Sequence, residues 1–331
     1  MALWPAAASS IRVIPAFEHG ERRRSASRQD QRVTSAEDLL AQAEACCPAI
    51  FGRRSGPAVD HVAADYARYG RAFDAFIQRG AAEQAARLIA ALRDFWWARG
   101  QWAEGLAWID RVLALPGLSP ASRAMVLDHA GALAFAEGKY ASARRYFEVS
   151  LELRRTGDSK SAPALAFNHL AAAVRWGGQD AEGARALYEE SLALAREAGD
   201  CLLIAAALMP LGTLALDRNA VGEARALLTD GLTLYVELQL ETAFPLALEQ
   251  FAAVAAVRGQ AVRALHLAGA GAAWRLRLDT HPTPYAAWLD AYLARARRIL
   301  DAADAQAAWA DGQAMSLKGA VAYALRDEAD E

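Results

Sequence analysis

The sequence predicts an all-α fold, a superhelical solenoid of antiparallel helix hairpins with a repeat of about 40 residues. Three observations predict it. Turn residues recur at Gly100, Gly138, Gly178, Asn219 and Gly259, with successive spacings of 38, 40, 41 and 40 residues. Each turn precedes a helix-patterned stretch that carries a small residue and then an aromatic or aliphatic one at matching offsets. The chain is 54% hydrophobic, much of it alanine, which suits closely packed helices better than strands. Units of this kind bury their faces on their neighbours and merge into one elongated core, and such arrays more often present binding surfaces than catalytic centres.

Residues 1–55 hold Pro5, Pro15, Gly20 and the basic run Glu21-Arg22-Arg23-Arg24-Ser25, and are expected to be loosely ordered apart from a short helix near 35–47. Residues 56–278 form the repeat array. Its helices are predicted over 61–78, 81–98, 101–114, 121–137, 140–156, 162–176, 181–198, 201–217, 221–238, 243–257 and 261–277. Ser119-Pro120 sets a cap residue before a proline tolerated in the first turn. Gly157-Asp158 and Gly199-Asp200 each end one helix and cap the next. The breaker Asp279-Thr280-His281-Pro282-Thr283-Pro284 then opens residues 279–331, read as one helix from Tyr285 to Ala302 and two shorter ones that cap the array.

The register repeats residue by residue. Gly131 lies seven residues before Gly138, with Ala143 and Phe147 after it; Ala171 precedes Gly178, with Ala184 and Tyr188 following. The next units read Gly212, Asn219, Ala224 and Leu228, then Ala252, Gly259, Ala264 and Ala268. Small residues at these places let the two helices of a hairpin cross closely while the larger one packs between them. Asn219 fits the glycine slot because it tolerates left-handed backbone.

These units resemble tetratricopeptide repeats in a lengthened form, on the residues Gly138-Lys139-Tyr140-Ala141-Ser142-Ala143-Arg144-Arg145-Tyr146-Phe147, Ala184-Arg185-Ala186-Leu187-Tyr188 and Gly100-Gln101-Trp102. A narrower resemblance covers about residues 61 to 326. Asp94-Phe95-Trp96-Trp97-Ala98-Arg99-Gly100 and the ending Ala308-Trp309-Ala310-Asp311-Gly312-Gln313-Ala314-Met315 are similar to the C-terminal sensor half of bacterial LuxR-type and related signal-transducing ATPase regulators. That resemblance implies a sensor or scaffold role in transcriptional regulation. The sequence contains no GxxxxGK[ST] phosphate loop and no separate basic recognition-helix unit, so it resembles the sensor half alone.

No HExxH, GxSxG, dinucleotide glycine fingerprint or CxxC pair occurs, and the expectation is a non-enzymatic protein without a cofactor. His129 and His169 occupy equivalent places in adjacent units, about 8–10 Å apart for neighbouring helices, too wide for a shared metal. Cys201 at a helix start is read as a buried, unreactive thiol. Three cysteines without a disulfide pattern point to a reducing cytoplasm. A net charge of −3 argues against direct nucleic-acid binding. The uncharged run between Asp200 and Asp217 is shorter than the roughly 20 residues a membrane helix needs.

In the tetratricopeptide family the first helix of each hairpin lines the concave surface. The match projects Asp94, Trp97, Asp128, Phe135, Asn168, Arg175, Trp176, Met209, Thr213, Asp217, Glu249 and Arg258 onto that surface. Aromatic area beside guanidinium, amide and carboxylate groups is what recognition of a protein or peptide segment requires. A small-molecule effector in an aromatic-lined pocket is the alternative ligand.

Overall fold

The computed structural model describes residues 35–50, 55–155, 161–178, 180–278 and 285–326, and the expectations for residues 1–34 and 51–54, for Gly157-Asp158 and for the breaker at 279–284 lie outside them. Helices α1 (Ala36–Ile50), α2 (Ser55–Gln78), α3 (Ala82–Arg99) and α4 (Trp102–Leu113) lead into α5 (Pro120–Ala136), α6 (Tyr140–Arg155), α7 (Ser161–Gly178) and α8 (Ala181–Ala198). There follow α9 (Cys201–Asp217), α10 (Val221–Glu237), a 3₁₀ turn (Glu241–Ala243), α11 (Phe244–Val257) and α12 (Ala261–Arg277). The last three are α13 (Tyr285–Ile299), α14 (Ala302–Ala314) and α15 (Leu317–Leu325). No strand occurs among the described residues.

From α1 to α13 each helix packs on the next, making the predicted solenoid of antiparallel hairpins, and α14 packs on α12. The odd-numbered helices from α1 to α13 also touch one another in succession, whereas the second helices of neighbouring hairpins from α4 to α10 are held apart. That asymmetry curves the stack toward its first helices. Helix α2 starts before the expected His61 because Pro57 falls in its first turn, where the missing N–H costs nothing. Helix α1 is already part of the packing: Leu39, Leu40 and Ala43 are buried in one cluster with residues of α2 and α3, so the array begins ahead of residue 56.

Four of the five predicted turn residues adopt left-handed backbone: Gly100, Gly138 and Gly259, and Asn219 at φ 60°. The turns share one hydrogen-bond pattern. Lys139 N–H donates to Ala134 O at 2.8 Å and Gly138 N–H to Phe135 O at 3.0 Å, and Ala220 and Asn219 repeat this on Ala215 and Leu216. Gly178 departs from it, as the last residue of α7 with helical backbone. Gln239, after α10, takes a φ of 54° with no glycine to mark the place.

The crossings follow the predicted register. A Cβ added at Gly131 would fall on the Phe147 ring, and one at Gly212 on Leu228. Ala171 and Tyr188 are buried in one cluster, as are Ala252 and Ala268 in another. At the N-terminal end the core is aromatic. Trp108 stacks on Phe73 at 4.3 Å and meets Trp96 edge-on at 5.4 Å, and Trp96 Nε1–H donates to Tyr66 OH at 2.7 Å. No helix among the described residues is long and apolar enough to cross a membrane. Cys201 differs from its expectation: the first turn of α9 leaves it exposed, because the hairpin ends project beyond the cover of neighbouring helices.

Candidate concave binding face

Charged and polar side chains of the first helices gather in two places. One cluster sits among α3, α5, α6 and α7. Arg93 pairs with the buried Asp94 at 2.6 Å, and the buried Asp128 pairs with Arg154 of α6. Burial pushes the Asp94 carboxyl up in pKa despite the Arg93 guanidinium beside it. His129 is pushed down to about 3, first by burial and then by the positive charges of Arg93 and Arg154. His169 moves the same way through burial, opposed by Asp128. Its ring lies 5.1 Å from Phe147. Both ring nitrogens of His129, Nδ1 of His169 and Oδ1 of Asp128 are shut off from water without a protein hydrogen-bond partner. Among the described residues, no three His, Cys, Asp or Glu side chains are grouped to hold a metal ion.

Between α7 and α9 two of the polar residues, Asn168 and Thr213, serve carbonyls around one proline. Pro210 lies inside α9 and has no N–H, so the carbonyl of Ala206, four residues earlier, loses its helical donor. Asn168 replaces that donor: its Nδ2 donates to Ala206 O at 3.0 Å. One turn further on, Thr213 Oγ1 donates to Pro210 O at 2.8 Å and accepts from Arg175 Nη1. Arg175 also pairs with Asp217 at 2.9 Å and lies over the Trp176 ring at 4.9 Å. Asn168→Ala is therefore expected to cost about 1–2 kcal/mol, the penalty for an unsatisfied buried carbonyl. In a Pro210→Ala background, where Ala206 O regains its own donor, the same change should cost close to nothing. Urea unfolding of the four proteins checks this, and equal costs in both backgrounds would refute the link.

Other projected residues lie elsewhere. Met209 is buried, directed at Gly231 of its own hairpin, where an added Cβ would fall on the Met209 sulfur. Glu249 is bound by Arg275 of α12 through Nε at 3.1 Å, and burial raises its pKa against that pairing. It too faces its hairpin partner, because Gly271 opens a space on α12 beside it. Phe135 meets Tyr140 across the hairpin turn with ring centroids at 5.2 Å. Arg258 is the exposed C-cap of α11, at the hairpin end, and Trp97 is half-buried on α3. Of the twelve, Asn168, Arg175, Trp176, Thr213 and Asp217 gather at the α7–α9 seam, while Asp94 and Asp128 join the His129 cluster.

Three further residues at this seam come from α13. Trp288 Nε1–H donates to Asp217 Oδ1 at 2.7 Å, Tyr292 OH donates to the same oxygen at 2.9 Å, and Tyr285 meets Trp176 edge-on at 5.0 Å. Sequence reasoning treated this helix as a cap only. Its aromatic spacing at 285, 288 and 292, which sets all three on one helical stripe, was the available signal.

No protein-family model matches the chain, and no curated protein matches it. Among solved structures it is similar to BtubC (BKLC) from P. vanneervenii, with a TM-score of 0.47 and 16% identity over 76% of this chain and 95% of that one.

Proposed function

We propose that this chain is a non-enzymatic interaction scaffold of the tetratricopeptide type, whose concave face holds a protein or peptide segment. The observation that carries this is the set of charged pairs Arg93–Asp94, Asp128–Arg154 and Arg175–Asp217, each with at least one member on a first helix, with Trp97 and Trp176 on the same helices. In each pair one side chain is buried while its partner keeps 18–33% of its surface exposed, so charge is held at the edge of the packed interior. Indole area beside guanidinium and carboxylate groups is the make-up of interface hot spots. The glycine turns and small-residue crossings support the tetratricopeptide assignment. The sequence resemblance to regulator sensor halves supports placing the scaffold in a bacterial transcriptional regulatory system, inside the cytoplasm.

The test is affinity capture from cell lysate with the parent, Arg175→Ala/Trp176→Ala and Arg93→Ala/Trp97→Ala. A protein held by the parent and lost from either variant, with helicity retained, supports the concave face. A partner retained by both variants overturns it.

A further inference from the structure

The seam at α7 and α9 is already filled, by the chain's own α13. Tyr285, Trp288 and Tyr292 form one stripe of that helix, and all three end on the Arg175–Asp217 pair or the Trp176 beside it. Leu289, Leu293 and Ala296 form another stripe, buried in the C-terminal core. Helix α13 thus sets one stripe in the C-terminal core and the other on the Arg175–Asp217 pair.

Two features separate this contact from ordinary repeat packing. The first is chemical. Hairpin crossings such as Gly131 on Phe147 and Gly212 on Leu228 rest on apolar contact, whereas here an indole and a phenol donate to one carboxylate oxygen. That carboxylate is held by a guanidinium which Thr213 anchors from behind. The acceptor is thereby fixed in place before any donor arrives, the arrangement of a receptor site. The second is topological. Helices α12 and α14, on either side of α13 in the chain, pack directly on each other. Gly269 lies against the carbonyl of Trp309, and Gly312 against that of His266. Helix α15 closes over α11 and α12. The segments flanking α13 are held together without it.

We propose that the α7–α9 seam is a receptor for an amphipathic helix bearing hydrogen-bonding aromatic residues at i, i+3 and i+7. Helix α13 is its resident occupant, and a partner helix of the same pattern takes its place. The proposal rests on the scaffold function above and names the kind of segment the concave face takes. Tethering gives α13 an effective concentration in the millimolar range. A partner succeeds by adding contacts beyond those of α13, and weak or partial matches are turned away.

The probe is a fluorescein-labelled, acetylated and amidated peptide of residues 285–299, titrated by anisotropy against the full chain. The strap variant Tyr285→Ala/Trp288→Ala/Tyr292→Ala strips the resident stripe. It is expected to bind the peptide at least about 100-fold more tightly than the parent, whose seam is occupied by a tethered competitor. Adding Asp217→Ala to the strap variant should weaken the peptide about 10-fold or more. Trp288→Phe/Tyr292→Phe keeps an aromatic ring at each position, removes both donors to Asp217, and guards against loss of folding in the triple variant. It should bind the peptide with intermediate affinity. Equal binding by parent and both variants, absence of binding by both variants, or binding indifferent to Asp217 overturns the proposal. Its failure is distinguishable from failure of the scaffold reading. Peptide binding without capture of any protein removes only the scaffold. Capture of a partner equally by parent and strap variant, without peptide binding, removes only the resident-helix proposal.

Discussion

Gly312→Val is expected to lower stability by about 3 kcal/mol or more, at or above the upper end of ordinary overpacking costs. A Cβ at this position would meet the carbonyl oxygen, carbonyl carbon and Cα of His266, all well inside the 3.0 Å that real Cβ atoms essentially never cross. Gly269 is in the same position against the carbonyl of Trp309. At Gly131 the obstacle is the Phe147 ring, which can shift rotamer; at Gly312 it is helix backbone, so α14 as a whole must lift from α12. Because each unit of such an array contacts only its neighbours, the damage should stay local. Amide exchange is expected to accelerate through 302–325 and remain slow from α3 to α8. Urea unfolding gives the cost, and an unchanged midpoint would show that α12 and α14 are not in backbone contact.

The second large effect is a loss of stability in mild acid. His129 has a folded-state pKa of about 3, against about 6.5 in an unfolded chain. Below pH 6.5 the unfolded chain takes up a proton that the folded protein refuses, so stability is present above that pH and is lost as pH falls toward 3. The slope is about 1.4 kcal/mol per pH unit for one such group, and the full window is worth on the order of 5 kcal/mol. His169 acts in the same direction through its own burial. The charged groups facing the two rings are Arg93, Arg154 and Asp128, and the two cations deepen the effect at His129. Asp94 and Glu249 work oppositely, since burial lets each take up a proton more readily when folded, and they act from the ordinary carboxylate pKa upward. Both carboxylates are common to the parent and to a His129 variant, so comparing the two isolates the histidine. His129→Phe removes that titration and should be less acid-sensitive than the parent by about 2 kcal/mol at pH 5.0. Matched urea curves at the two pH values measure it, and identical pH dependence in parent and variant would refute the assignment.

The hairpins were legible because what specifies them is local. A glycine or asparagine that ends a helix, a small residue seven positions before it and a large one nine after it are all visible in one stretch of 17 residues, as at Gly131, Gly138 and Phe147. Gly178 and Gln239 mark the limit of that signal. A glycine permits left-handed backbone without requiring it, and a turn held on both sides can impose it on a glutamine. Cys201 misled because a helix start sits in the sequence next to apolar residues, while in space it lies at an uncovered end.

The concave face was legible only in part. Glu249 and Asn168 were both projected onto the groove, yet Glu249 faces Arg275 within its hairpin, and Asn168 repairs the carbonyl freed by Pro210. Both partners were in the sequence, 26 and 38 residues away. What was missing was the rotation of each helix about its axis, which depends on the side chains of its neighbours and shifts a residue from one face to another by about 100° per position. The return of α13 onto Asp217, 71 residues back along the chain from Trp288, lies further out of reach of local pattern.

By itself, then, the sequence determined the helix lengths, the turns between them and the small-residue crossings, because helix periodicity and backbone conformation are set within a few residues. Tertiary structure alone decided which charged side chains meet across the first helices, which lie inside a hairpin, and that the aromatic stripe of α13 covers Arg175 and Asp217. Those outcomes depend on the curvature accumulated over successive hairpins, and no single repeat contains it.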